Sequence, residues 1–148
     1  MPSPIAPISP LVLKDVELIL GAADAVAVAD TDNDFRKHVD TVTLTPTSST
    51  VNWTGLGANT HSDVSTATWT ATLAGAQDWS SDVSLCRFLF DNEGDTRPYL
   101  LRPRAGSGPS FTGKVIITPG AIGGQVNAVA PFNVTLGLTA KPTLVPAV

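Results

Sequence analysis

Along most of the chain, hydrophobic and polar positions alternate with a period of two. In "VSTATWTATLAG", Ala67, Trp69, Ala71 and Leu73 fall on one face and Thr66, Thr68, Thr70 and Thr72 on the other, the pattern of a half-buried strand. The threonine face suits solvent or a hydrogen-bonding protein surface. "QVNAVAPFNVTLGL" alternates again, with Val126, Ala128, Ala130, Phe132, Val134, Leu136 and Leu138 together. Pro131 inside that run predicts an edge strand or a bulge. Further strands are expected over 11–20, ended by Gly21, and over 35–46, stopped by Pro46. Residues 49–63 read as a short strand followed by a polar loop marked by Gly55, Gly57 and Asn59. "RPYLLRPR" and "SFTGKVIITPG" predict a hairpin turning across 105–109.

One stretch breaks the period. In "LAGAQDWSSDVSLCRFLFDNEGD", Ser80 or Ser81 can N-cap a helix and Asp82 falls in its first turn. Leu85, Cys86, Phe88 and Leu89 then form an apolar core face, with Phe90 beside them. Gly94 supplies the stop. The spacing predicts a helix over about 80–93. A sheet with an apolar face needs a cover, and this helix is a natural one. The expected fold is mainly β: a two-sheet β-sandwich or barrel with one flanking helix and an extended arm at each end.

The arms read from composition. Residues 1–10 contain Pro2, Pro4, Pro7 and Pro10, which dictate an extended segment. "KPTLVPAV" at the other end is similar. Both carry apolar residues (Ile5, Ile8, Leu144, Val145, Val148), which suit docking on a neighbouring subunit as well as frayed termini.

The chain has 148 residues with 43% hydrophobic and 15% charged, a globular composition long enough for one domain with a real core. No apolar run reaches membrane-spanning length, and "MPSPIAPISP" lacks the regions of a secretory signal. A lone Cys86 forms no internal disulfide, so folding in a reducing cytoplasm is the simplest expectation. The net charge of −4 does not describe a phosphate-binding surface. Six acids between Asp15 and Asp34, against the later Arg97, Arg102, Arg104 and Lys114, suit head-to-tail contacts or solvated loops.

Catalytic chemistry finds little support. His38 and His61 have no Cys, Asp or Glu at metal-ligand spacing, and Cys86 among Leu85, Phe88 and Phe90 reads as a core thiol. "DTDND" at 30–34 fails as a calcium loop, because Phe35 and Thr41 stand where glycine and an acid are needed. "GAIGG" lacks the lysine and hydroxyl of a phosphate-binding loop. "NWT" and "NVT" fit glycosylation sequons, chance matches without a signal peptide. The reading is a protein that is not an enzyme, with no cofactor and no metal.

"TATWTATLAGAQDW", "SLCRFLFDNEGD" and "YLLRPRAGSGPSFTGKVIITPGAIGGQVNAVAPFNVTLGLTAKP" together resemble the major tail tube proteins of long-tailed, non-contractile bacteriophages. The resemblance covers most of 39–142. It implies a sandwich with one helix near the subunit boundary, and subunits that form stacked hexameric rings around a conduit for phage DNA. It implies residues 1–10 and 141–148 as bridging arms around a domain at 11–140, with an inter-ring loop at about 45–63. Subunit-interface residues would then include Pro4, Ile5, Ile8, Trp53, Leu56, His61, Leu144 and Val145. Implied partners are further copies of the chain and, in the tail, the tape measure, tail terminator and distal tail proteins. Double-stranded DNA would pass without tight binding, and no membrane is involved. The implied location is the virion tail, assembled in the host bacterial cytoplasm. Two other classes stay open: a β-sandwich binding module (Ig-like or carbohydrate-binding, using Trp53 and Trp79) or a head decoration protein, and a small hydrolase with paired carboxylates.

Overall fold

In the computed structural model, which describes residues 1–29, 32–104 and 108–146, the elements run β1 (Glu17–Leu20), β2 (Val39–Thr47), β3 (Thr50–Thr54), β4 (Thr60–Val64), β5 (Thr68–Ala76), α1 (Leu85–Asp91), β6 (Thr96–Arg102), β7 (Ser110–Ile116), β8 (Pro131–Gly137) and β9 (Thr143–Val145). Two antiparallel sheets, ordered β1-β6-β7-β9 and β2-β5-β8, face each other; β3 and β4 pair only with one another. The architecture is the mainly β sandwich with one helix. No barrel closes: among the described residues one isolated bridge, Val115 with Leu138 just after β8, joins the sheets, and Ile19 bridges to Asp34 in the segment before β2.

The core is built by the inward side of each alternation. Leu18, Leu20, Tyr99 and Val115 from one sheet meet Ala71, Leu73, Val134 and Leu136 from the other, with Leu85, Cys86 and Leu89 of α1 in the same cluster. The strand ends explain where α1 sits. In one sheet β5 finishes where β2 and β8 begin, and in the other β1 and β7 finish where β6 begins. α1 links the end of β5 to the start of β6 and packs at the starts of β2 and β6, where the Leu85 amide donates to His38 Nδ1. Phe88 is half-buried there, 5.4 Å from the Phe35 ring, with the Arg97 guanidinium 5.3 Å from its centroid.

The helix is shorter than the spacing predicts, seven residues from Leu85 to Asp91 rather than 80–93. The reason is local. The Asp78 carboxylate accepts from the Ser80 amide at 3.0 Å and the Ser80 hydroxyl at 2.8 Å, and Ser81 Oγ accepts from the Val83 amide. These side-chain turns compete with helix. Ser84 therefore caps, its Oγ accepting from the Arg87 amide at 3.3 Å. Asp82 lies outside the helix and pairs with Arg87 at 2.6 Å. Gly94 takes φ +86°, where a β-carbon is penalised, and its amide donates to Ile117 O.

Other boundaries shift for similar reasons. Only Glu17–Leu20 of the 11–20 run is a strand: Asp15 takes φ +50°, which breaks the extended run, and Lys14 before it makes only an isolated bridge to Arg104. β2 runs through Pro46 to Thr47, because it is the edge of its sheet. Pro131 is the first residue of β8, and the alternation before it is exposed loop. β6 and β7 form the expected hairpin; its turn at 105–107 lies outside the described residues, as do Asp30 of the acidic loop and Val148 of the C-terminal arm.

Tyr99 is the only tyrosine. It is buried between the sheets, and among the described residues its hydroxyl has no partner. Burial pushes its pKa up from 10 to about 12. The unfolded chain therefore releases this proton first. The linked stability is intact below pH 10 and is lost as pH rises towards 12. An alkaline absorbance titration of tyrosinate is expected to show a rise well above pH 10 that coincides with loss of the circular dichroism of the fold. Independent ionisation near pH 10 would contradict the burial.

Candidate assembly surfaces

The two ends of the sandwich differ. Away from α1, the later residues of β2 and β6 and the first residues of β5 and β7 line a shared groove. Three further features emerge at the same end. The N-terminal segment enters β1 there, the β3–β4 hairpin is inserted between β2 and β5, and β9 pairs with the first residues of β7. The residues implied as an interface by resemblance all sit on these features.

Pro4, Ile5 and Ile8 lie in the arm, where the described residues form no strand or helix; Ile5 is 89% and Ile8 84% exposed. Trp53 and His61 face each other across the β3–β4 ladder, and Leu56 is fully exposed at the tip. Polar composition made 49–63 read as mostly loop. The cross-strand pairs Asn52 with Ser62 and Trp53 with His61 instead give a regular hairpin, closed at its base by Ser65 donating to Ser49 O at 2.8 Å. Val51, Trp53 and Val64 are exposed on it, and an isolated two-stranded hairpin is only marginally stable in water. Leu144 and Val145 belong to β9, paired with Phe111 and Ser110, so the C-terminal segment is partly strand. Leu85, Cys86 and Leu89 are buried under α1, away from this end.

Sequence reasoning missed the apolar groove at that end. It has a volume of about 560 Å³ and is lined by Leu44, Trp69, Phe111 and Leu144 together with Leu11 and Leu13. Trp69, expected on the core face, packs half-buried against the core cluster and also lines the groove. Segments far apart in sequence build the groove, and no local pattern announces that convergence.

Part of the acidic run is paired within the chain. Arg36 binds Asp15 at 2.7 Å, Asp34 at 2.6 Å and Glu17 at 3.2 Å, and Glu17 also takes Arg102 at 2.6 Å. The outward face of β2-β5-β8 is a field of uncharged polar side chains: Thr43, Thr72 and Thr135 align in one row, Thr45 with Thr70 and Thr47 with Thr68 in the next.

The chemically reactive side chains have structural roles. His38 Nδ1 accepts from the Leu85 amide at 3.2 Å, at the start of α1. Desolvation raises the Cys86 thiol pKa above its usual range, which disfavours the thiolate a nucleophile needs. The Ser80 bonds hold the Asp78 carboxyl below its ordinary pKa. Among the described residues, no group of three or more His, Cys, Asp and Glu is placed to hold a metal ion, and no helix is long and apolar enough to cross a membrane.

No protein-family model matches the chain, and no curated protein matches it. Its fold is similar to that of a chain in a solved structure described as the virion of a native gene transfer agent (GTA) particle. The TM-score is 0.53 at 14% sequence identity, over 88% of this chain and 95% of that one. The likeness spans the sandwich as a whole and establishes a shared fold.

Proposed function

We propose that this chain is a structural protein of a virion, and within that class the major tail tube subunit of a long-tailed phage-like particle. The observation that carries the reading is the fold likeness to a virion chain over nearly the whole length of both. The gathering of unpartnered apolar elements at one end of the sandwich supports self-assembly: an exposed arm, a free hairpin and an open groove are surfaces that stacked copies would cover. β2 and β8 are outer strands of their sheet, and joining such edges between copies would remove the hazard of unpaired strands. The threonine field between them suits a conduit. It carries no lysine or arginine to release counterions from DNA, so a duplex would pass it without being held. Six copies in a ring, with rings stacked, is the arrangement proposed; the tape measure, terminator and distal tail proteins would be its neighbours in a tail.

Negative-stain electron microscopy across a concentration series, with light scattering on the same samples, tests this. Rings or tubes about a hundred ångströms wide are expected, the scale of six domains each tens of ångströms across. A monomer at every concentration, even with a preformed tail tip added as initiator, would refute it.

A further inference from the structure

The backbone of His38 is fixed from two sides, while its ring is free to move. Its amide closes a tight turn by donating to Phe35 O at 2.9 Å. Phe35 is buried in the core, and the turn runs straight into β2 at Val39. The His38 carbonyl oxygen lies against Gly75 of β5, so closely that a β-carbon there would collide with it. The imidazole is half-buried and reaches α1, where Nδ1 accepts from the Leu85 amide at 3.2 Å.

A backbone amide can only donate. Nδ1 must therefore be bare, and the single ring proton sits on Nε2. A second proton would go to Nδ1 and set N–H against N–H. Histidine is the side chain that takes up such a proton between pH 8 and pH 5. The Leu85 amide has little else to turn to. It is among the first amides of a helix, which no helical carbonyl reaches, and the Ser84 hydroxyl oxygen already accepts from Arg87. A helix of seven residues does not persist on its own. Its start is held by this bond, by Ser84 and by the burial of Leu85 and Cys86 in the core.

The surroundings offer a protonated ring a second place. His38 and Asp78 line one open hollow of about 450 Å³, whose other charged residues, Lys37 and Asp40, belong to the same segment as His38. The Ser80 bonds keep the Asp78 carboxyl ionised through that pH range, and positive charge on His38 favours the same carboxylate. From α1, burial keeps the Cys86 thiol neutral, and Arg87 is engaged by Asp82 and Asp91. Arg36 is held by Asp15, Glu17 and Asp34. Asp78 is the carboxylate that a charged ring would meet.

We propose that His38 is a pH-sensitive latch on α1. Neutral, its Nδ1 holds the start of the helix; protonated, the ring releases the Leu85 amide, turns to Asp78, and lets the first helical turn open over Cys86. The latch belongs to the folded subunit and is independent of how copies assemble.

Cys86, the only thiol of the chain, reports the opening. Its reaction with 4,4′-dithiodipyridine, a disulfide that remains reactive towards thiols in acid, is followed from pH 8 to pH 5. Each rate is divided by that of the urea-unfolded chain at the same pH, which removes the titration of the thiol itself. The normalised rate is expected to rise about tenfold, the effect of one buried amide losing its partner. His38→Asn places a carbonyl oxygen that does not titrate where Nδ1 stands, and should flatten the profile at the slow rate of pH 8. His61→Asn, which removes the other histidine, should leave the rise intact. A flat native profile, or the same rise in His38→Asn, overturns the proposal. Should His38→Asn fail to fold, hydrogen exchange in the native chain decides. The Leu85 amide should lose about tenfold in protection between pH 8 and pH 5, while Leu73 in β5 keeps its own. Equal losses at both amides would mean that the whole domain opens, and no loss at Leu85 that the ring latches nothing; either overturns the proposal.

Discussion

Gly75→Val is expected to cost about 3 kcal/mol or more, among the largest effects of any single strand substitution. Gly75 sits near the end of β5, paired with Val39 on one side and Phe132 on the other, where a bulge shifts the register between Val39 and Thr41. A β-carbon there would run into the backbone carbonyl oxygen of His38 and stand 3.0 Å from both Val39 Cα and the Phe132 ring. The obstacle is backbone on one side and a buried ring on the other, so neither can swing away. Displacing His38 would also disturb its acceptor role at the start of α1, and with it the cap over the core. Gly137→Ala is the matched control, because nothing lies within 4 Å of the β-carbon it would add; it should be neutral or slightly stabilising through the unfolded state. Thermal melts followed by circular dichroism should separate the two by about 10 °C for a chain of this length. Equal melting temperatures would mean that the bulge can relax, and that the capped end is softer than its packing implies.

The fold was legible wherever one alternation decides burial locally. Ala71 and Leu73 are buried beneath a threonine face because the period of two leaves no other choice once one side is apolar. Leu85 and Leu89, one helical turn apart, announced the one helix, and Gly94 its end. Where two short-range options compete, the pattern failed. Asp78 and Ser84 both capture nearby amides, and the Leu85 amide, donating to His38 Nδ1 from another segment, fixes the later start in a way the local sequence does not show. The hairpin at 49–64 was hidden by its composition, since its strands bury nothing in the chain and so carry no apolar period. The groove was invisible because Leu11, Trp69, Phe111 and Leu144 come from four separate segments that antiparallel pairing brings to one end. Charge shows the same convergence: Glu17 and Arg102 are 85 residues apart in sequence and 2.6 Å apart in space.

Trp53→Ser combined with Leu56→Ser should abolish assembly at concentrations where the native chain assembles, while leaving the isolated subunit as stable as before. Trp53 is 57% exposed and Leu56 wholly so, and the hairpin that carries them pairs with no other strand. Replacing them removes little from the folded monomer, so its melting should move by no more than about 0.5 kcal/mol. Between copies the balance differs. Two large apolar side chains buried on contact contribute about 1.5–3 kcal/mol each, which raises the assembly threshold by roughly two to four orders of magnitude. Asn52 and Ser62, hydrogen-bonded at 2.7 Å across the same ladder, should keep the hairpin's register without the tryptophan. Light scattering onset against concentration, beside a thermal melt of each protein, reads both quantities. A lost assembly with an unchanged melt marks the hairpin as a contact between subunits. A threshold that does not move would mean that the hairpin faces solvent in the assembled particle, leaving the arm and the groove to hold the copies together.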